Sequence, residues 1–202
     1  GVFQIPLHEG FLGTMLDRSF GLLPNFPILV LALPGALLTM RRGLRRLHLA
    51  LAVVIVPYML LVSTFSMWWA GYSPPARYFV ALTPLLAYYV AALLQRMHHW
   101  LTTAMAVLLA LFAAALAIAG DVVPTVRWNW HEWPPAQAMV KLGQVVAVPF
   151  ARYVPSSFLP DQGRNFAGWL FGLAAVTVLL WLIGRRLPAS RVPDWSSRHH
   201  RV

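Results

Sequence analysis

Five continuous apolar runs constrain this chain more than any other feature of its sequence. Each run is free of Asp and Glu, and together they cover residues 22–40, 47–69, 76–94, 100–120 and 167–184. A helix needs roughly 17 to 25 apolar residues to cross the hydrocarbon core of a bilayer. Because the runs are continuous rather than alternating, they favour helices over the strands of a membrane barrel. The sequence therefore predicts an all-α polytopic membrane bundle with about five transmembrane helices.

Composition supports lipid as the solvent of this chain. Only 11% of its residues are charged, whereas soluble domains carry about 25%. The net charge of +10 would suit a nucleic-acid partner, but the arginines cluster at the ends of apolar runs and not along one polar face. We therefore expect membrane lipid as a partner and no nucleic acid. The absence of Cys excludes disulfides and thiolate metal sites.

Basic residues in the loops predict the orientation of the chain. Ten of the sixteen Lys and Arg residues lie in "RRGLRR" at 41–46, in "QRMHHW" at 95–100 and after residue 184. Cytoplasmic loops carry such an excess. We therefore expect the start of the chain outside and its end in the cytoplasm. Residues 1–187 then form the transmembrane region, with an external loop at 121–166, and 188–202 form a basic cytoplasmic tail.

Three of the apolar runs contain an internal proline, at Pro34, Pro57 and Pro84. A proline inside a helix removes a hydrogen bond and kinks the helix, which a bundle of neighbours tolerates. The prolines predict that the first three spans line a site, while the last two support them. The alternative is that proline is ordinary membrane-helix composition.

Arg77 follows "WWAGYSPPA" at the start of the third run. If Ser73 or Pro74 caps this helix and Pro75 begins it, Arg77 lies in the first turn, beside free N–H groups and the positive helix end. A cation is favourable there when the guanidinium and the free N–H groups of the helix end bind the same anion, such as a lipid phosphate. Alternatively, Arg77 extends to bulk phospholipid. Nearby aromatic rings would cover a sugar or a prenyl chain, or form an interfacial belt: Trp68, Trp69, Tyr72 and Tyr78.

Two stretches resemble a known family. "WWAGYSPPARYFVALTPLLA" resembles the "W-W-G-G-W-S-x-x-x-R-Y-L-x-P-x-x-P-L-L" stretch of bacterial membrane glycosyltransferases with the GT-C fold, related to protein O-mannosyltransferases and aminoarabinose transferases. "DRSFGLLPNFPILVLALPGALL" at 17–38 is similar to the "D-x-x-F-G-L-L-x-x-A-P" entry into a span of the same group. Ala70 and Ala81 depart from the pattern, where a glycine and a proline are usual.

The resemblance implies a multi-pass enzyme of the bacterial cytoplasmic (inner) membrane that uses a polyprenyl-phosphate sugar donor on the outer side. Arg77 matches the motif arginine and would steady the departing lipid phosphate. The family's catalytic carboxylate lies in its first external loop. Because this chain begins Gly-Val-Phe without a signal pattern, we expect it to be a C-terminal portion, with that carboxylate in the upstream remainder of the polypeptide. No cofactor is expected.

Other candidate residues are few. Asp17 lies near Glu9 and Arg18 and would assist an acceptor, or else cap a helix or pair with Arg18. His131 and Glu132 lie among tryptophans and form a possible sugar-contacting patch, without the partners of a metal site. No phosphate-binding loop, dinucleotide fingerprint or nucleophile elbow occurs. Two other functions stay open, a transporter or flippase fragment and a non-catalytic membrane scaffold.

Overall fold

The computed structural model of the chain describes residues 5–40, 45–70, 76–97, 99–122, 137–159 and 162–186. This part is helical and contains no β-strand. Eight α-helices occur in it: α1 (Leu7–Leu16), α2 (Leu22–Asn25), α3 (Ala32–Thr39), α4 (Arg45–Thr64), α5 (Thr83–Arg96), α6 (Trp100–Val122), α7 (Gln137–Val145) and α8 (Gly163–Arg186). Three 3₁₀ helices, Pro27–Leu31, Arg77–Leu82 and Phe150–Arg152, accompany them.

Four helical segments are long and apolar enough to cross a bilayer: Arg46–Thr64, Arg77–Arg96, Trp100–Val122 and Gly163–Arg186. They contain 19 to 24 residues, and at about 1.5 Å per residue they match the roughly 30 Å of a hydrocarbon core. Four of the predicted spans are thereby confirmed as helical segments of sufficient length.

The first apolar run does not form a fifth helix of this kind. Residues 22–40 are divided into α2, a 3₁₀ helix and α3, and the stretch Pro27–Thr39 is too short to cross a bilayer alone. Phe26 leaves the helical conformation, with φ −128° and ψ 63°. A residue that precedes proline is driven out of that region by the proline ring, so Pro27 explains the break.

The internal prolines differ in position from the prediction. Pro57 lies inside α4, as expected. Pro84, however, lies in the first turn of α5, and Pro34 is the third residue of α3. A proline in the first turn lacks only an N–H that has no acceptor within the helix. Of the three prolines, Pro57 alone lies deep inside a helix.

The third span begins at Arg77, one residue after the predicted start, but its first part is a 3₁₀ helix and not an α-helix. Ala76, with φ 53°, precedes the 3₁₀ helix Arg77–Leu82, and α5 starts only at Thr83. The predicted caps, Ser73 and Pro74, lie outside the described residues, and Ala76 occupies the capping position of the 3₁₀ helix. Since Arg77 opens a short 3₁₀ helix and not an α-helix, it lacks the strong helix-end field that the sequence argument assumed.

Glycines allow the helices to approach closely. A Cβ on Gly10 of α1 would overlap the Ser63 carbonyl of α4, and one on Gly35 of α3 would overlap the Tyr89 carbonyl of α5. Small residues at such crossings allow backbone-to-backbone packing in membrane bundles. The first apolar run is thus held against α5 as part of the core, where Leu31, Phe79 and Leu93 are fully buried.

The predicted external loop at 121–166 contains ordered structure. In its described part, α7 packs against α6, and a small apolar cluster joins Leu116 of α6 to Met139, Ala151 and Val154. Residues 123–136, and with them His131 and Glu132, lie outside the described residues, as does the predicted tail at 188–202.

Candidate functional site

An aromatic cluster joins the turn after α4 to the segment before α8. The rings of Trp68 and Phe158 are stacked, with centroids 5.7 Å apart and planes 18° apart. Trp69 stands edge-on to both rings, at 5.9 Å from Trp68 and 5.7 Å from Phe158. Phe20 closes the cluster from the turn after α1. Segments far apart in sequence therefore form one rigid aromatic wall.

This wall borders a cavity of about 420 Å³, which we call the aromatic cavity. Its lining combines the rings of Trp68, Trp69 and Phe158 with the polar residues Glu9 and Gln162. The Glu9 side chain is 64% exposed and lies 3.9 Å from His8 Nε2. Aromatic faces with a few polar groups are typical of sites that bind small organic ligands.

A second cavity, the apolar groove, encloses about 560 Å³ between α1, the broken first run, α4, α5 and α8. Leu12 of α1 lines both this groove and the aromatic cavity. On α8, Phe166 lines the aromatic cavity and Leu170, one turn later, lines the groove. The aromatic cavity and the apolar groove therefore adjoin along α1 and α8.

Asp17 holds the aromatic wall in place from outside the cavity. Its Oδ1 accepts hydrogen bonds from the backbone N–H groups of Ser19 at 2.8 Å and Phe20 at 3.1 Å, and its Oδ2 accepts one from Ser157 at 2.7 Å. The side chain is fully buried. Burial raises the pKa of Asp17 despite these hydrogen bonds and the neighbouring Arg18. Asp17 thus positions the loops rather than meeting a ligand in this cavity.

Arg18 adds two further ties between the same segments. Its backbone N–H donates to the Pro155 carbonyl at 2.9 Å, and its Nη1 donates to the Ala151 carbonyl at 3.0 Å. The sequence left a pairing of Asp17 with Arg18 open. The two side chains form no direct salt bridge, although each charge favours the ionised form of the other; their hydrogen bonds go to backbone groups.

The other predicted site residues are dispersed. Trp69 lines the aromatic cavity. The Tyr78 backbone carbonyl accepts a hydrogen bond from Tyr58 Oη at 2.6 Å, and its half-buried ring packs edge-on against Phe65. Arg77 is exposed and lines neither cavity. Tyr72, like His131 and Glu132, lies outside the described residues.

Sequence reasoning missed Phe158 and Gln162, and it gave Glu9 no role in a cavity. Phe158 lies in a predicted loop without a motif, about 90 residues after the tryptophans it contacts. Only the paired tryptophans signalled an aromatic site, and nothing in the sequence indicated their partners. In the described part of the chain, no three His, Cys, Asp or Glu residues are grouped as a metal site would need.

The four long apolar helices are typical of a multi-pass membrane protein, and this is the class that the fold defines. The comparisons with known proteins add no family to that class. No family model, no curated protein and no solved structure matches the chain.

Proposed function

We propose that this chain is the C-terminal membrane portion of a glycosyltransferase that moves a sugar from a polyprenyl-phosphate donor to an acceptor. One observation carries the proposal: the aromatic cavity and the apolar groove adjoin at Leu12. A lipid-linked sugar has the same division, with a hydroxyl-rich head and a long hydrocarbon chain. The resemblance of residues 17–38 and 68–87 to GT-C glycosyltransferases supports the same reading.

In this proposal the head of the donor lies against the aromatic wall and the hydrocarbon chain lies in the groove. Trp69 offers a flat ring to a sugar face, while Glu9 and Gln162 offer polar groups to hydroxyls. The hydrocarbon chain passes from the bilayer into the groove without leaving an apolar medium, so its contribution to affinity comes from van der Waals packing against the groove walls. The hydrogen bonds would then fix orientation and distinguish one sugar from another.

The proposed role of Arg77, to stabilise the departing lipid phosphate, rests on its match to the arginine of the family motif. Its exposed guanidinium is free to reach the headgroup layer, where a departing lipid phosphate would lie. Neutralising that phosphate would stabilise the transition state. The charge bias of the loops supports a site on the outer side of a bacterial cytoplasmic membrane.

The test is transfer of labelled sugar from a polyprenyl phosphate by the full-length protein in liposomes. Trp69→Ala should lower the transfer rate by about tenfold or more, because it removes a wall of the cavity. Trp100→Ala is the matched control, since Trp100 is 72% exposed and lines neither cavity. Equal transfer by the wild type and both variants would contradict the proposal.

A flippase or transporter is the second candidate, because the apolar groove would also suit a lipid in transit. The five apolar runs carry no acidic residue for ion coupling, and Asp121 lies at the very end of α6, which makes a coupled pump less favourable. Movement of a labelled lipid between leaflets without sugar transfer would favour the flippase. If neither activity occurs while a protein partner binds the loops, the scaffold alternative gains support.

A further inference from the structure

A third cavity, of about 540 Å³, lies between the turn after α1, helix α7 and the segment at 149–152. We call it the basic cavity, because its polar lining consists of Arg18, Arg152 and the Gln144 side chain, and no Asp or Glu lines it. The walls are formed by small and apolar residues, among them Gly143 and Met139. Asp17 supplies a negative charge near Arg18 from outside the cavity, but no carboxylate lies between the two cations within it, so an anion placed there would be attracted by both.

Arg18 is fixed at the edge of this cavity. Its Nη1 donates to the Ala151 carbonyl at 3.0 Å, which anchors one arm of the guanidinium. Its Nε is buried, has no acceptor among the described residues and is closed off from the cavity, so a ligand in the cavity would meet the outer nitrogens of the guanidinium. Burying a charged donor without an acceptor is costly, and burial accordingly lowers the pKa of Arg18 although Asp17 opposes this.

Asp17 does not serve as the missing counter-ion within the cavity. Its two oxygens are already engaged by the backbone N–H groups of Ser19, Phe20 and Ser157, and Asp17 does not line the cavity. The guanidinium of Arg18 therefore keeps donor capacity that the neighbouring carboxylate does not use.

Arg152 provides the second cation. It lies in the 3₁₀ helix Phe150–Arg152, next to the residue whose carbonyl anchors Arg18, and its side chain is exposed at the cavity mouth. A planar guanidinium donates in a fork that matches the oxygens of phosphate or carboxylate. We propose that the basic cavity binds an oxyanion of the phosphate type, held between Arg18 and Arg152.

This inference stands apart from the proposed function, because the basic cavity shares no lining residue with the aromatic cavity. The anion could be a free phosphate or the headgroup of an anionic lipid, since both present the same oxygens. Binding assays without any sugar donor therefore test it, and their failure would leave the sugar-transfer proposal untouched.

The experiment measures binding of inorganic phosphate to the whole chain in uncharged detergent by calorimetry. Arg152→Gln should weaken binding by about tenfold, the effect of losing one charge-assisted hydrogen bond, and Arg152→Lys should restore part of the affinity. Arg164→Gln is the matched control, because Arg164 is exposed near the start of α8 and does not line the basic cavity. Arg18→Gln should also weaken phosphate binding. If that variant fails to fold, the binding measured for Arg152→Gln tests the proposal.

Nanodiscs distinguish the two sources of the anion. Tighter association with phosphatidylglycerol than with phosphatidylcholine, lost in Arg152→Gln and kept in Arg164→Gln, would assign the cavity to a lipid headgroup. Phosphate binding with the same pattern would assign it to a free anion. The proposal is overturned if neither probe binds, or if every probe that binds does so equally to the wild type, Arg152→Gln and Arg164→Gln.

Discussion

The carboxylate of Asp17 accepts a hydrogen bond from the backbone N–H of Ser157 at 2.7 Å, across a sequence separation of 140 residues. This contact joins the turn after α1 to the segment before α8, and Phe158 of that segment stacks on Trp68. The contact therefore lies beside the aromatic cavity, and both the shape of that cavity and folding stability depend on the same buried side chain.

Replacing Asp17 with alanine should destabilise the fold by about 3 kcal/mol or more, because three buried N–H groups lose their acceptor. Asp17→Asn should lower the stability less, since the amide oxygen can still accept hydrogen bonds from the N–H groups on one side of the original carboxylate. Thermal unfolding in detergent measures both. Equal unfolding temperatures for Asp17→Ala and the wild type would show that the carboxylate does not hold the loops.

Stability should also depend on pH through Asp17. Because burial raises its pKa in the folded state, the folded protein holds this proton more tightly than the unfolded chain, whose Asp titrates near pH 4. The resulting stabilisation is full below the unfolded pKa and is lost as the pH rises through the raised folded pKa. Unfolding series across this range should show the fall in the wild type, and the fall should be absent in Asp17→Asn.

Gly35→Ala should destabilise the bundle by about 1 to 3 kcal/mol, because the new methyl group would overlap the Tyr89 carbonyl. Gly172→Ala is the matched control: it lies inside α8, and its added Cβ would meet nothing within 4 Å. Alanine there should be neutral or stabilising by up to about 1 kcal/mol. Chemical unfolding compares the two, and an equal effect of both substitutions would argue against close packing of α3 on α5.

Tyr89→Phe should destabilise the fold by about 1 to 3 kcal/mol, because it removes the only partner of the buried His48 ring among the described residues. The Tyr89 Oη lies 3.1 Å from His48 Nδ1, and the two rings are stacked. The double variant with His48→Phe should recover part of that loss, since neither polar group is then buried alone. A double-mutant cycle measures the coupling, and strictly additive effects would rule it out.

Arg77→Ala should lower sugar transfer by about tenfold if the guanidinium steadies the lipid phosphate. Arg77→Lys should retain part of the activity, because it keeps the charge but loses the two-pronged grip. Folding should be unaffected, since the side chain is exposed. Wild-type turnover by Arg77→Ala would contradict the proposed role of Arg77. The role of the aromatic cavity would still be tested by Trp69→Ala.

Part of the site was accessible from the sequence. Trp69, at the end of an apolar run, is predicted to cover a sugar or a prenyl chain or to form an interfacial belt; it lines the aromatic cavity, and substrate contact stays a prediction. Asp17 is predicted to assist an acceptor, cap a helix or pair with Arg18, and its hydrogen bonds join two loops. The contact of Phe158 with Trp68 and Trp69 was not predictable, because it depends on how the segment before α8 packs against the turn after α4.

Hydrophobicity by itself indicated the membrane class and the position of four of the five predicted spans, because a long apolar run in lipid satisfies its backbone polar groups most simply as a helix. The break at Pro27 has a local cause in the proline ring, whereas nothing in the sequence indicated the change from 3₁₀ to α-helix at Thr83. Only the tertiary structure decided that Glu9, Trp69 and Gln162 share a cavity and that Arg18 and Arg152 share another. The reason is that cavities form where segments distant in sequence pack together. The pattern of apolar residues along the sequence does not indicate which segments these are.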